Sequence, residues 1–261
     1  MDLKESKVNS FSRGTYRSSL TRAFGGDAAR KKEYLNRVRS LREAGRLLRG
    51  RGSAIKGECA VSCTVGVYDH ERYQAELGVP LALVYLKELL FERLPVDRAM
   101  EWPERFLSAI EPGADLSFVP NRFVRWLLAD YVHGVISYTT CEMADIIRTI
   151  ASCHEIVASG GTPAVEQLHC RGAIGTLRQE STESPLLERI IDVIEWAAYG
   201  LDRDEPRFAA EAARTAVCVG IWGKAKAMGR GGDSDTASWI ETINTMYERQ
   251  SNKVIELLQS E

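Results

Sequence analysis

The chain has 261 residues, 44% of them apolar and 27% charged, with a formal net charge of −2. This is ordinary globular usage on a chain near the upper size of one domain, which excludes wholesale disorder and any global pull toward nucleic acid or an acidic membrane surface. No stretch reaches the ~18 uninterrupted apolar residues of a membrane helix, and the opening Met1-Asp-Leu-Lys-Glu-Ser-Lys lacks the apolar run of a secretory signal.

Charge is unevenly spread. Residues 1–56 carry 15 Lys or Arg against 5 Asp or Glu, and the other 205 carry 19 against 31. Residues 1–28 have little periodicity and read as a basic arm, with residues 29–261 as one helical domain. From Ala28 to Leu48, Tyr34, Val38, Leu41 and Leu48 share one helical stripe that Gly50 and Gly52 stop. Two expectations compete for the basic portion. Arg13, Arg17, Arg22, Arg37, Arg39, Arg42 and Arg46 suit a phosphate-binding surface over residues 10–52. Alternatively, the basic helix docks on the acidic remainder of its own chain or of a second copy, which the near-cancelling charges favour.

Val61, Cys63, Val65 and Val67 alternate as a short extended segment near 59–68 would. Cys59 and Cys63 form a C-x3-C pair, but no second pair follows at the spacing of a structural zinc site. The other cysteines are Cys141, Cys153, Cys170 and Cys218; in the reducing cytosol expected for a chain without a signal, they serve as small buried hydrophobes.

Helix follows helix beyond this point. Pro80 starts one that runs to Pro95, and Pro103 and Pro120 open two more. Thr139-x-x-Glu142 is a capping box ahead of a helix that ends at Gly160-Gly161. Thr162-Pro163 starts a hairpin partner, and Ser184-Pro185 starts a helix that Gly200 ends. Pro206 opens a helix with a small-residue face of Ala209, Ala212, Ala213, Ala216 and Gly220, read as central in the fold or as a homo-oligomer contact. Met228-Gly-Arg-Gly-Gly-Asp-Ser-Asp reads as a loop, and a final helix runs from about Thr236 to Leu258. The expectation is an all-α multi-helix bundle with a basic N-terminal extension.

Candidate chemistry is sparse. Asp130 and His133, and Glu166 and His169, are carboxylate–imidazole pairs three residues apart, a spacing that shares a helix face. With carboxylates from Glu142, Glu155, Glu188 or Glu195, they match the ligand types of an Fe or Zn bundle centre; His133 next to Gly134 also suits a helix end without a metal. Cys153-His154 and His169-Cys170 face each other across the Gly160-Gly161 turn, although adjacent helix residues diverge by about 100°, which favours buried thiols with exposed or capping imidazoles. No nucleophile elbow, phosphate loop or dinucleotide fingerprint is found, so no cofactor is expected beyond that metal alternative. Trp102, Trp126, Trp196, Trp222 and Trp239 sit mostly on apolar stripes and read as core.

Tyr68-Asp-His-Glu-Arg-Tyr73, Leu77-Gly-Val-Pro80, Phe91-Glu-Arg-Leu-Pro95, Trp102-Pro-Glu-Arg-Phe-Leu-Ser-Ala-Ile110, Gly113-Ala-Asp-Leu-Ser117 and Arg122-Phe-Val-Arg-Trp-Leu-Leu128 form a block. It resembles a recurring one in uncharacterised bacterial helical proteins that close with a segment like Lys253-Val-Ile-Glu-Leu-Leu258. The resemblance implies a helical scaffold and assigns no activity or catalytic residue. The leading expectation is a cytoplasmic, non-enzymatic binding or regulatory protein, immunity- or antitoxin-like, with a protein partner. The alternatives are a nucleic-acid-associated protein and a metal-dependent helical-bundle enzyme.

Overall fold

A computed structural model of the chain describes residues 22–50, 58–139, 141–164, 174, 175, 178, 184–202, 205–227 and 236–261. The fold is all-α. Its helices are α1 (Ala28–Glu43), α2 (Ser62–Val65), α3 (His70–Leu77), α4 (Leu81–Arg93), α5 (Val96–Ala109), α6 (Val119–Ala129), α7 (Cys141–Ala158), α8 (Pro185–Asp202), α9 (Phe208–Ala227) and α10 (Thr236–Gln259). The 310 turns Ala23–Gly26 and Val135–Tyr138 join them. No described helix is long and apolar enough to cross a membrane.

α9 sits at the centre, packed against α4, α6, α8, α10 and the Val135–Tyr138 turn. Its sequence explains the position. Ala209, Ala212, Ala213, Ala216 and Gly220 are buried, and small side chains let several neighbours approach at once. A Cβ at Gly220 would run into Met246 of α10, and one at Gly223 into the Tyr138 ring. The face read as central or as a homo-oligomer contact through Ala209, Ala213, Ala216 and Gly220 is therefore filled by the chain's own helices.

Helix ends follow local chemistry. Asp27 accepts from the Ala29 amide to start α1. The Ser184 hydroxyl accepts from Leu187 N to start α8, where the Ser-Pro signal placed it. α1 stops at Glu43, earlier than the stripe to Leu48 suggests, because Gly45 takes a left-handed φ of 65°. Gly45 N and Arg46 N then close back onto Arg42 O and Leu41 O, a Schellman ending. The same pattern at Gly160 and Gly161 closes α7 onto Val157 O and Ile156 O.

Four boundaries differ from the sequence expectation. The alternation near 59–68 belongs to the turn of α2, whose Ser62, Cys63, Thr64 and Val65 are all buried, so burial on every side masks the period; among the described residues, extended pairing is confined to a single bridge, Leu47 with Glu58. Pro103 lies inside α5, and Pro95 is the N-cap. Gly200 is followed by one more turn residue pair in α8, with the Phe208 ring against it. Among the described residues, packing extends to the N-terminal side of residue 29: Ala23 and Phe24 are buried, and Ala23 exchanges backbone hydrogen bonds with Gly113 and Ala114.

Candidate functional site

The described arginines singled out in the sequence contact the chain itself. Arg39 and Arg42 both pair with Glu104 of α5 at 2.9 Å, and Arg46 lies 3.8 Å from Glu58. Arg22 donates to Gly113 O, and the Arg37 guanidinium packs against Gly66. These contacts are those of a basic helix docked on its own acidic neighbours. Arg13 and Arg17 lie outside the described residues. A groove of about 470 Å³ runs between α1, α5 and α10, edged by Arg42, Glu101, Glu104, Arg105 and Ile255.

Asp130 and His133 of the proposed metal set do not share a helix face. α6 ends at Ala129, so Asp130 and His133 stand in the loop that follows it. One Asp130 carboxylate oxygen accepts from Val132 N at 3.0 Å and His133 N at 2.7 Å, while the Asp130 carbonyl accepts from Gly134 N at 2.8 Å. The carboxylate thus closes a turn instead of facing an ion with the imidazole. Glu166, His169 and Cys170 lie outside the described residues. Among the described residues no three His, Cys, Asp or Glu side chains gather as a metal would require. His154, expected exposed or capping, is fully buried.

What Asp130 builds instead is a fixed display. Gly134 is buried under the turn, and a Cβ there would strike the Asp130 backbone. Ser137 N and Oγ both donate to Gly134 O, which carries the rigidity into the Val135–Tyr138 turn. Tyr138 is in turn seated on Gly223 of α9. On this anchored backbone, Tyr131 and Val132 project into solvent at 83% and 74% exposure. Beside them is a small hollow with about 20 Å³ of room for a water-sized group. Trp126, Leu127, His133, Val135, Tyr138, Met246, Arg249 and Gln250 are among its lining residues. Gln250 is 2% exposed; its amide N–H donates to Ala213 O at 2.9 Å, but its Oε1 is buried without a hydrogen-bond partner. Neither the Arg249 guanidinium nor the His133 ring pairs with a carboxylate among the described residues.

A second group of polar side chains escaped the sequence reading because it is scattered along the chain. Lys87 of α4 is wholly buried, donates to Ala60 O, and places Nζ 4.6 Å from the Tyr73 ring centre and 5.7 Å from that of Phe106. Burial lowers its pKa, and burial raises those of the neighbouring Cys63 thiol and Tyr73 phenol. Next along the helix, Glu88 accepts from Tyr68 at 2.7 Å and lies 2.8 Å from His70 Nε2, whose ring stacks on Tyr85. His154 of α7 lies 2.8 Å from the Asn121 amide and donates from Nε2 to Ala197 O at 3.0 Å. Burial pulls its pKa down to about 4. These groups join helices in the interior: Lys87 ties α4 to the turn before α2, and His154 ties α7 to α6 and α8. Only an amphipathic pattern read together with its tertiary partners could have singled out Lys87, since a lysine in a helix is ordinarily solvated.

No family model, curated protein or solved structure matches the chain.

Proposed function

We propose that the chain is a helical binding protein of the regulatory, immunity- or antitoxin-like kind, which meets a protein partner through the face around Tyr131 and Val132. One observation carries this reading: two adjacent apolar side chains stand 83% and 74% exposed on a backbone fixed by Asp130. A protein in water gains nothing by displaying a tyrosine and a valine on an ordered turn. Tyrosines of this sort are the anchors of protein interfaces, and an ordered loop loses little further entropy on docking. The free thiols of Cys59, Cys63, Cys153 and Cys218 suit a reducing compartment such as the cytoplasm.

The test is to replace Tyr131 by a photo-crosslinking amino acid, identify and purify the captured protein, and measure its affinity for the unmodified chain. A Tyr131→Ala, Val132→Ala double variant is expected to weaken that affinity at least about tenfold. Equal affinity for the two chains defeats the reading. The nucleic-acid alternative has less support, because Arg39, Arg42 and Arg46 each face a carboxylate.

A further inference from the structure

We propose that Cys59 and Cys63 form a peroxide-responsive thiol pair, in which Cys59 is oxidised first and Cys63 then closes a disulfide onto it. The site is separate from the Tyr131 face and stands or falls without it. It gives a chemical use to the C-x3-C spacing, which lacks the second pair that a structural zinc would need.

Three observations on the turn that opens α2 carry the assignment. The first is spacing. Cys63 N donates to Cys59 O at 3.0 Å, so the two residues stand at either end of one helical turn. Four residues of helix separate Cα atoms by about 6 Å, inside the range that a disulfide spans. The second is direction. The Cys59 sulfur reaches forward along the turn, accepting from Ser62 N at 3.5 Å and from Ser62 Oγ at 3.4 Å. The Cys63 thiol reaches back, donating to Ala60 O at 3.4 Å. The two side chains therefore lean toward each other across the same turn. The third is the contrast between the thiols. Cys59 is half-buried, so a small oxidant from solvent reaches its sulfur, and the two Ser62 donors hold that sulfur in place. Cys63 is wholly buried, and burial raises its pKa, which keeps it a thiol. Peroxide meets Cys59, and Cys63 is the resolving partner. The Lys87 amine also donates to Ala60 O, which sets a cation beside the resolving sulfur and works against that rise.

The chemistry balances with hydrogen peroxide as the oxidant. The Cys59 sulfur attacks one peroxide oxygen; an S–O bond forms, the O–O bond breaks, and the released hydroxide leaves as water with the thiol proton. Cys59 has then lost two electrons to become a sulfenic acid, and the peroxide has gained them. The Cys63 sulfur attacks the sulfenic sulfur; the S–S bond forms, the S–O bond breaks, and hydroxide leaves with the Cys63 proton as a second water. A bridge across one turn bends that turn, so thiol reductants reopen it readily.

The experiment treats the full, folded chain with hydrogen peroxide, alkylates the remaining thiols and maps the peptides by mass spectrometry. The tryptic peptide 57–72 carries both sulfurs. It is expected to lose two hydrogens and refuse alkylation, and reduced glutathione is expected to restore both thiols. Cys218, the other half-buried thiol among the described residues, is the internal reference; Cys59 is expected to react at least about tenfold faster. Cys63→Ala is expected to stop at the Cys59 sulfenic acid, trapped by dimedone, and Cys59→Ser to leave Cys63 reduced. Full alkylation of the 57–72 peptide after peroxide, or oxidation of Cys218 at an equal rate, overturns the inference, and both are read on the unaltered chain. Oxidation of Cys63 in Cys59→Ser as fast as in the unaltered chain overturns it as well.

Discussion

The Trp102 indole donates its N–H to the Lys87 carbonyl at 2.9 Å, which ties the core's largest buried side chain to the backbone of its one fully buried lysine among the described residues. The Lys87 amine itself points the other way, onto Ala60 O and the faces of Tyr73 and Phe106. α4 is thereby clamped from both sides, by α5 through the tryptophan and by the α2 turn through the ammonium.

That arrangement predicts an asymmetry between two substitutions. Removing an ammonium from water is expensive, and one carbonyl with two aromatic faces returns only part of that cost. Lys87→Met keeps the volume and removes the charge, so it is expected to leave stability unchanged or raise it by up to ~3 kcal/mol. Lys87→Ala opens a cavity under Tyr73 and is expected to lower stability by roughly 2–4 kcal/mol. Urea denaturation of the two variants checks both. A large loss in Lys87→Met would mean that the amine is a net stabiliser.

His154 predicts a pH dependence. Its folded pKa is about 4 against an ordinary 6.5, because burial disfavours the imidazolium. Between those values the unfolded chain takes up a proton that the folded chain refuses. The contribution is therefore complete above about pH 7 and lost as pH falls through 6.5 toward 4, amounting to about 3 kcal/mol over that window. His154→Leu is expected to flatten this part of the stability profile relative to the unaltered chain, while lowering stability at neutral pH because Asn121 loses its partner. Denaturant midpoints of both proteins between pH 4.5 and 7.5 give the comparison, and parallel profiles would show that His154 does not titrate differently on folding.

Glu104 predicts a salt-sensitive joint. It is shared by Arg39 and Arg42 and is the main charged link between α1 and α5. Glu104→Gln leaves two guanidinium groups side by side. Since both arginines are substantially solvated, the expected loss is only about 1 kcal/mol at low ionic strength, shrinking in 0.5 M salt. The same variant frees cationic surface, so measurable polyanion binding that appears in Glu104→Gln alone would show that internal pairing is what silences the basic helix. A loss that does not change with salt would assign Glu104 a packing role instead.

How much of this was legible in the sequence depended on whether the signal was local. Ser184-Pro185, Pro80 and Gly160-Gly161 mark helix ends through bonds within a few residues, and those ends lie where the sequence placed them, to within a residue or two. The small face of α9 was visible as a pattern, but which neighbours fill it was not, because Met246 and Tyr138 come from elements 26 residues later and 70 or more earlier. Period failed where burial is all-round, as at Ser62–Val65, and where a proline sits in the interior of a helix, as at Pro103. The Asp130–His133 spacing has a different local meaning in the fold. Three residues apart reads as one helix face, yet the helix ends at Ala129, and the same two residues instead build the turn that exposes Tyr131. Gln250 carries no local signal at all: its amide N–H is held by Ala213 of α9, 37 residues earlier, and its buried oxygen has no partner.

The turn's rigidity is itself open to test, because it hangs on one carboxylate. Asp130 Oδ1 holds the Val132 and His133 amides from a position just past the end of α6. Asp130→Ala removes both bonds and is expected to lower global stability by only about 1 kcal/mol, the scale of a lost capping interaction. Locally the effect is larger: hydrogen exchange at Val132 and His133 is expected to accelerate roughly tenfold or more while amides in the middle of α9 keep their protection. Asp130→Asn retains an acceptor oxygen and is expected to restore most of that protection. If the turn is the docking element, Asp130→Ala also weakens partner binding without touching Tyr131 or Val132, since the loop must then be ordered at the moment of contact. Unchanged exchange at Val132 and His133 in Asp130→Ala would show that Gly134, Ser137 and Tyr138 hold the turn without the carboxylate.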